Sequence, residues 1–179
     1  MRLLFLLLSL GLVAAENGLD AWLRYAPLPV APHNLPSSIV TLNSTIGGPV
    51  QVAGVELQKG LKGIFSKAVD VTAPSQKLPP SSVVVGTVDE YVKAYGNGNI
   101  KVPSLGEDGF WLSTEGDTIQ ILGQNERGAL YGAFEYLSIL AQGDFSEVAY
   151  ATCPNAPIRC KSDVLGSKAS YSKSLQSSY

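Results

Sequence analysis

With 179 residues, the chain is long enough for one compact domain and too short for two comfortable ones. Hydrophobic residues account for 45% of the chain and charged residues for 16%, which is typical of a globular protein. The formal net charge of −2 creates no positive field, so neither nucleic acid nor an anionic membrane surface is an expected partner.

The N-terminal segment MRLLFLLLSLGLVAA is an apolar run that carries a single basic residue, Arg2. The run is shorter than the roughly 20 apolar residues of a membrane-spanning helix, and it ends in small residues that signal peptidase accepts, Val13 and Ala15. We therefore predict a signal peptide over residues 1–15, cleavage after Ala15, and a secreted, extracellular protein without a membrane anchor.

The first half of the mature chain alternates strand and helix patterns. Residues 38–43 form a β-branched run that predicts a strand, and residues 49–67 place apolar side chains at helical spacing despite three glycines. Residues 68–72 alternate like a strand, a proline-rich connection follows, and the valines at 83–85 predict a buried strand.

The second half begins with a short predicted helix at residues 89–95, followed by a loop rich in glycine, asparagine and proline. The segments 109–114 and 117–122 flank Glu115 and Gly116. Because a glycine can adopt positive φ, this short connection predicts a β-hairpin.

Residues 126–141 carry the strongest amphipathic helix pattern of the chain. Gly128 and Gly132 lie four residues apart and would let this helix approach a sheet closely. Together the elements predict an α+β fold, a two-layer arrangement in which a mixed β-sheet is covered by helices.

Four segments resemble the N-terminal domain of fungal α-glucuronidases of glycoside hydrolase family 67: NGLDAWLRYAPL, LPSSIVTLNST, SSVVVGTV and EDGFWLSTEGDTIQILGQNERGALYGAFEYLSIL. The resemblance runs over residues 18–159. It implies a secreted enzyme that removes glucuronic acid or its 4-O-methyl ether from xylan-derived oligosaccharides. It also implies a fold similar to the α/β domain that precedes the barrel in β-hexosaminidases, with the active site in a following (β/α)8 barrel.

The resemblance ends abruptly after Arg159, where Cys160 begins a serine-rich stretch. We expect a signal peptide over 1–15, the family domain over 16–159 and a divergent, disordered tail over 160–179. The interpretation is an inactive N-terminal fragment whose partners in the full-length family are its own barrel and xylan-derived oligosaccharide. The alternative is a non-catalytic secreted domain that binds xylo-oligosaccharide or another protein.

Inverting glycoside hydrolysis needs a carboxylic acid and a carboxylate about 6.5 to 9.5 Å apart across the sugar. The resemblance places both in the barrel, and acids on turns or at a helix start usually have structural roles. We therefore assign no catalytic residue to this chain. The acids considered and set aside are Asp89, Glu90, Glu107, Asp108, Glu115, Asp117 and Glu126.

Metal and cofactor chemistry has little support in the sequence. His33 is the only histidine, lies in a proline-rich segment and has no second metal ligand at workable spacing. The glycines around residues 123–132 do not form a phosphate-binding pattern. We predict no metal site and no cofactor.

Two features gain meaning from the predicted secretion. Asn43 begins the sequon Asn43-Ser44-Thr45 and is a candidate for glycosylation. Cys153 and Cys160 could close a small disulfide loop in an oxidising compartment, and the sequence leaves their pairing open.

Arg127 is interpreted as a packing or docking residue. Trp111 and Tyr131 are interpreted as core or interdomain residues, with stacking of the two rings on a xylose unit as the alternative. A domain that is covered by a barrel should also expose apolar residues where the barrel packs. The expected contributors are Phe110, Trp111, Tyr131, Phe145, Val148 and Tyr150.

Overall fold

The computed structural model describes residues 25–29, 35–43, 45–96 and 100–152. The predicted signal peptide, His33, Cys153, Cys160 and the predicted tail lie outside the described residues.

The described part of the chain forms one mixed sheet with the strand order β2-β1-β3-β5-β4-β6. Strands β1, β2, β3 and β5 are mutually parallel, and β4 runs antiparallel to both β5 and β6. The strands are β1 (Ser38–Thr41), β2 (Asp70–Thr72), β3 (Ser82–Thr87), β4 (Phe110–Glu115), β5 (Thr118–Gly123) and β6 (Ala149–Thr152).

Three helices in the described residues connect these strands: α1 (Pro49–Phe65), α2 (Val88–Tyr95) and α3 (Glu126–Ala141). Helix α1 begins with a proline in its first turn, where the missing N–H costs nothing. The residue that follows the helix and caps its C-terminus, Ser66, adopts the left-handed conformation at φ 56°. None of the helices in this part of the chain combines the length and apolar character needed to cross a bilayer.

Helices α1 and α3 pack side by side on one face of the sheet, and glycines bring them close. A Cβ atom at Gly60 of α1 would collide with the side chain of Leu137 in α3. A Cβ atom at Gly132 would lie 2.7 Å from Ile121 Cγ2 of β5, so this glycine lets α3 approach the sheet as the sequence predicted. The glycines that lower helix propensity therefore stand at contacts between elements.

The sheet buries side chains on both faces. The main core lies under α1 and α3 and includes Ile39, Val83 and Ile121. A smaller core lies on the opposite face, where α2 supplies Tyr91 against Val84 and its neighbours. A central strand of consecutive valines suits this arrangement because alternate side chains enter different cores.

The structure confirms the predicted α+β class with a mixed sheet covered by helices. The hairpin and all three helices are confirmed, with α3 observed over the predicted residues. Helix α2 adds partial cover to the second face, which the predicted two-layer arrangement did not describe. Strand β6 was not predicted, because the short sequence AYAT becomes a strand only by pairing with β4.

Candidate functional site

The corner between β5 and α3 brings together Asp108 and Arg127, which the sequence singled out, and Asn125, which it did not. Asn125 caps α3, and its Oδ1 accepts a hydrogen bond from the Gly128 backbone N–H at 2.9 Å. The Asn125 Nδ2 donates to Asp108 Oδ1 at 2.7 Å, and Arg127 Nε donates to the same oxygen at 3.0 Å. The Arg127 guanidinium also lies 3.8 Å from a carboxylate oxygen of Glu107.

Backbone contacts tighten the same corner. Asp108 adopts φ 58°, and the loop it belongs to brings the Gly109 carbonyl to the backbone N–H of Gln124 at 2.9 Å. A Cβ atom at Gly128 would collide with the Gly109 carbonyl. The corner therefore fastens the loop before β4 to the start of α3, and this packing role agrees with the interpretation of Arg127.

A second polar link spans the carboxyl ends of the parallel strands. Asn43 follows β1, and its Nδ2 donates to Glu126 Oε1 in the first turn of α3 at 2.8 Å. The Asn43 Oδ1 accepts from both the backbone N–H and the hydroxyl of Thr45. The side chain of Leu42, next to Asn43, packs over Gly86 of β3. Open α/β sheets usually bind ligands at this end, but here these polar groups bond to one another.

The predicted glycosylation site lies within this link. Asn43 is half-buried, and the nitrogen that would carry the glycan already donates to Glu126. The amide has two N–H groups, so attachment of a glycan leaves one donor. Glycosylation of Asn43 stays a prediction.

Two of the other acids, Glu90 and Glu115, also have structural partners. Glu90 forms a capping box with Thr87 at the start of α2, where Asp89 occupies the first turn. Glu115 accepts a hydrogen bond at 2.7 Å from the buried side chain of Gln120. Asp117 lies in the hairpin turn at the opposite end of the sheet from Glu90. The described acids are thus distributed over both ends of the sheet, and the assignment of no catalytic residue to this chain stays a prediction.

The two aromatic residues proposed as a sugar platform are separated by the sheet. Trp111 packs against the smaller core, whereas Tyr131 packs against the main core. The hypothesis that both rings stack on one xylose unit is therefore wrong. Phe110 is only 6% exposed, so its expected place in an exposed apolar patch is also wrong. Of the expected patch, Phe145 is exposed, at 36%.

A cleft of about 330 Å³ lies at the amino end of the parallel strands, and the sequence did not indicate it. It is bordered by the β4–β5 turn, the C-terminal end of α3 and residues 144–148. Asp144 Oδ1 accepts from the hydroxyl and the backbone N–H of Ser146, which lowers the pKa of the carboxyl. Tyr136 also lines the cleft, and burial raises the pKa of its hydroxyl.

Sequence reasoning missed this cleft because its walls come from distant segments. The only local signal was the mixture of acids and a phenylalanine in residues 144–147. Within the ranges described, no three histidine, cysteine, aspartate or glutamate side chains are grouped so that they could hold a metal ion.

A comparison of the chain with models of protein families identifies its family. A family model described as the N-terminus of glycosyl hydrolase family 67 matches residues 21–136. The chain belongs to this family. The corner of Asn125 and Asp108 and the link from Asn43 to Glu126 are therefore parts of a family 67 N-terminal domain.

Curated relatives extend the match. The chain is 56% identical over 157 residues to "Probable alpha-glucuronidase A" of Neosartorya fischeri. The aligned region covers 86% of this chain and 18% of that protein. The chain is 53% identical over 165 residues to the protein of the same name from Aspergillus oryzae, covering 89% and 20%. The family 67 domain therefore spans about a fifth of the length of the curated relatives it matches.

Two solved structures give weaker matches. A family GH115 4-O-methyl-α-glucuronidase with specificity for decorated arabinogalactans matches with a TM-score of 0.44 and 20% identity, covering 59% of this chain and 13% of its own. A GH138 enzyme targeting pectin rhamnogalacturonan II matches with a TM-score of 0.38 and 19% identity, covering 63% and 10%.

Proposed function

We propose that this chain is the N-terminal accessory domain of a secreted α-glucuronidase that removes glucuronic acid or its 4-O-methyl ether from xylan-derived oligosaccharides. The observation that carries the proposal is the high identity to proteins named α-glucuronidase, which extends over most of this chain and about a fifth of theirs. In this proposal the domain packs against a (β/α)8 barrel that supplies the catalytic acids.

The contacts of the described acids support an accessory role. A general acid must present a proton to the leaving oxygen, and a general base must reach a water. Here Asp108 is held by Asn125 and Arg127, and Glu126 is held by Asn43. These carboxylates stabilise the fold, and withdrawing either one for catalysis would break a polar link.

Hydrolysis assays test the proposal. The purified chain should release no glucuronic acid from aldouronic xylo-oligosaccharides above a buffer control, while the full-length Aspergillus oryzae relative serves as the positive control. Turnover that survives purification and disappears in Glu107→Gln, Asp108→Asn or Glu126→Gln would overturn the accessory role.

Secretion and processing form a separate part of the proposal, supported by the apolar run of residues 1–15. Expression of the whole sequence in a fungal host should yield a protein in the culture medium that begins at Glu16. Mass spectrometry of the intact product also measures any glycan, which should disappear in Asn43→Gln. A product retained in the cells with residues 1–15 attached would contradict this part.

A second candidate function is a non-catalytic module that binds xylo-oligosaccharide or another protein, and the open cleft favours it. Light scattering over a concentration series, together with a hydrophobic dye, separates the two candidates. An accessory domain should associate and bind dye through exposed apolar residues that a barrel would cover, such as Ile46, Val52 and Val55. A monomeric, dye-silent chain would favour the binding module.

A further inference from the structure

The cleft at the amino end of the parallel strands has the size and composition of a small-ligand site. Its volume of about 330 Å³ falls in the range of ligand pockets, which combine apolar walls with a few convergent polar groups. Apolar side chains from Ile119, Ile139 and Leu140 line it. The polar groups come from the hairpin, from α3 and from residues 144–148.

Tyr136 provides a polar group that the fold does not use. The residue is only 6% exposed and lines the cleft. Its hydroxyl shares with those of Tyr25, Ser38 and Tyr95 the lack of a hydrogen bond to the described residues. Burial alone raises its pKa, with no contribution from a neighbouring donor or acceptor. A hydroxyl that lines a cleft can donate to and accept from a molecule bound there, so Tyr136 offers a hydrogen-bonding group to a ligand.

The charge of the lining restricts the ligand. Asp144 and Glu147 contribute carboxylates, and the lining contains no lysine, arginine or histidine among the described residues. The C-terminal end of α3 adds carbonyl groups, which carry partial negative charge. An anionic sugar such as a uronic acid would be repelled, so the ligand is neutral or cationic.

The hydrogen-bonding groups favour a neutral polyol over a cation. The Thr114 hydroxyl accepts from the Val148 backbone N–H at 3.2 Å, which leaves its own proton to donate. Together with Tyr136, it gives the cleft donors as well as carboxylate acceptors. Sugar hydroxyls both donate and accept, whereas an ammonium or guanidinium group only donates.

An aromatic ring at the rim suits the apolar face of a sugar. Phe145 lines the cleft and is 36% exposed. Its ring is held in place by Phe65, with centroids 5.8 Å apart. One face of a pyranose presents C–H groups, which pack well against such a ring.

We propose that this cleft binds a neutral pyranose unit of an oligosaccharide, with Phe145 against the sugar face and with Tyr136, Thr114 and the carboxylates bonded to its hydroxyls. The site rests on the second candidate function and deepens it, because it gives the module a ligand class and a place on the domain. It differs from a uronate-binding active site in charge. It requires no hydrolysis.

Titration of the ¹⁵N-labelled chain with xylotriose or cellotriose, followed by NMR, tests the site. We expect saturable shifts confined to residues 114–119 and 144–148, and no such shifts with sodium glucuronate. The absence of saturable shifts, or shifts centred elsewhere, would overturn the proposal. Stronger binding of L-argininamide at the same residues would also overturn it in favour of a cation site.

Variants make the test specific. Tyr136→Phe should weaken binding about fivefold, the factor that one neutral hydrogen bond typically provides. Phe145→Ala should weaken it about tenfold through the lost ring contact. The matched controls Tyr95→Phe and Glu107→Gln, which lie outside the cleft, should bind as the unchanged chain does. Equal affinity of all four variants, with melting temperatures unchanged, would refute the assignment.

Discussion

The two ends of the sheet use polar residues in opposite ways. At the carboxyl end of the parallel strands, Asn43 bonds to Glu126 and Asn125 bonds to Asp108, so polar side chains satisfy one another. At the amino end, the hydroxyl of Tyr136 lines a cleft without a partner among the described residues. The comparison teaches that a cluster of conspicuous polar residues can be held together by its own hydrogen bonds, while a less conspicuous set of polar and aromatic groups lines the open cleft.

The largest loss of stability should come from adding a side chain at Gly128, where α3 contacts the loop before β4. Gly128→Ala places a Cβ atom against the Gly109 carbonyl, and overpacking of this kind costs about 2 to 3 kcal/mol of unfolding free energy. Urea denaturation measures the change. Ser138→Ala, on the exposed face of the same helix, is the control and should change stability by less than about 0.5 kcal/mol. Equal stability of the two variants would mean that the loop before β4 can move away from position 128 at no cost in free energy.

The second-largest loss of stability should come from removing the cap of α3. Asn125→Ala removes the helix cap and the bond to Asp108, with an expected loss of about 1 to 2 kcal/mol of unfolding free energy. Asn125→Ser keeps an oxygen for the cap and loses only the bond to Asp108, so thermal denaturation should show a smaller loss. If both variants lost the same stability, the cap would contribute nothing.

The link across the carboxyl ends should give a smaller effect. A double-mutant cycle with Asn43→Ala and Glu126→Ala should show a coupling energy of about 1 kcal/mol, because each variant removes one side of the same hydrogen bond. Pairing Asn43→Ala with Glu107→Ala is the control and should show additivity. A coupling near zero for the first pair would mean that the two ends move independently.

The smallest change in unfolding free energy at neutral pH should come from a substitution in the cleft. Tyr136→Phe removes a hydroxyl without a described partner, so the unfolding free energy at pH 7 should not fall. Burial raises the pKa of Tyr136 above its ordinary value of 10.0, so the folded state holds the proton more tightly than the unfolded state. Stability is therefore full below pH 10 and falls as the pH rises above it.

Denaturation of both proteins across this alkaline range measures the difference. The Phe variant should lose less stability than the unchanged chain, although Tyr25, Tyr91 and Tyr95, whose pKa values are also raised, keep some of the slope. Tyr95→Phe, on the other face of the sheet, is the comparison and should also reduce the slope, because burial raises the pKa of Tyr95. An identical alkaline slope with and without the Tyr136 hydroxyl would contradict its burial as a neutral group.

The sequence by itself determined the elements with strong local signals and the family. The amphipathic period predicted α3, the glycine between two alternating runs predicted the hairpin, and the resemblance to family 67 proved correct. These signals are local because helix periodicity, capping and turn geometry act over a few residues.

Only the tertiary structure decided which face each side chain occupies and which distant segments meet. It placed Trp111 and Tyr131 in different cores, buried Phe110, and added β6 to the edge of the sheet. It also joined the β4–β5 turn, the end of α3 and residues 144–148 around the cleft. Strand order and register depend on contacts between segments far apart in the chain, and no local pattern encodes those contacts.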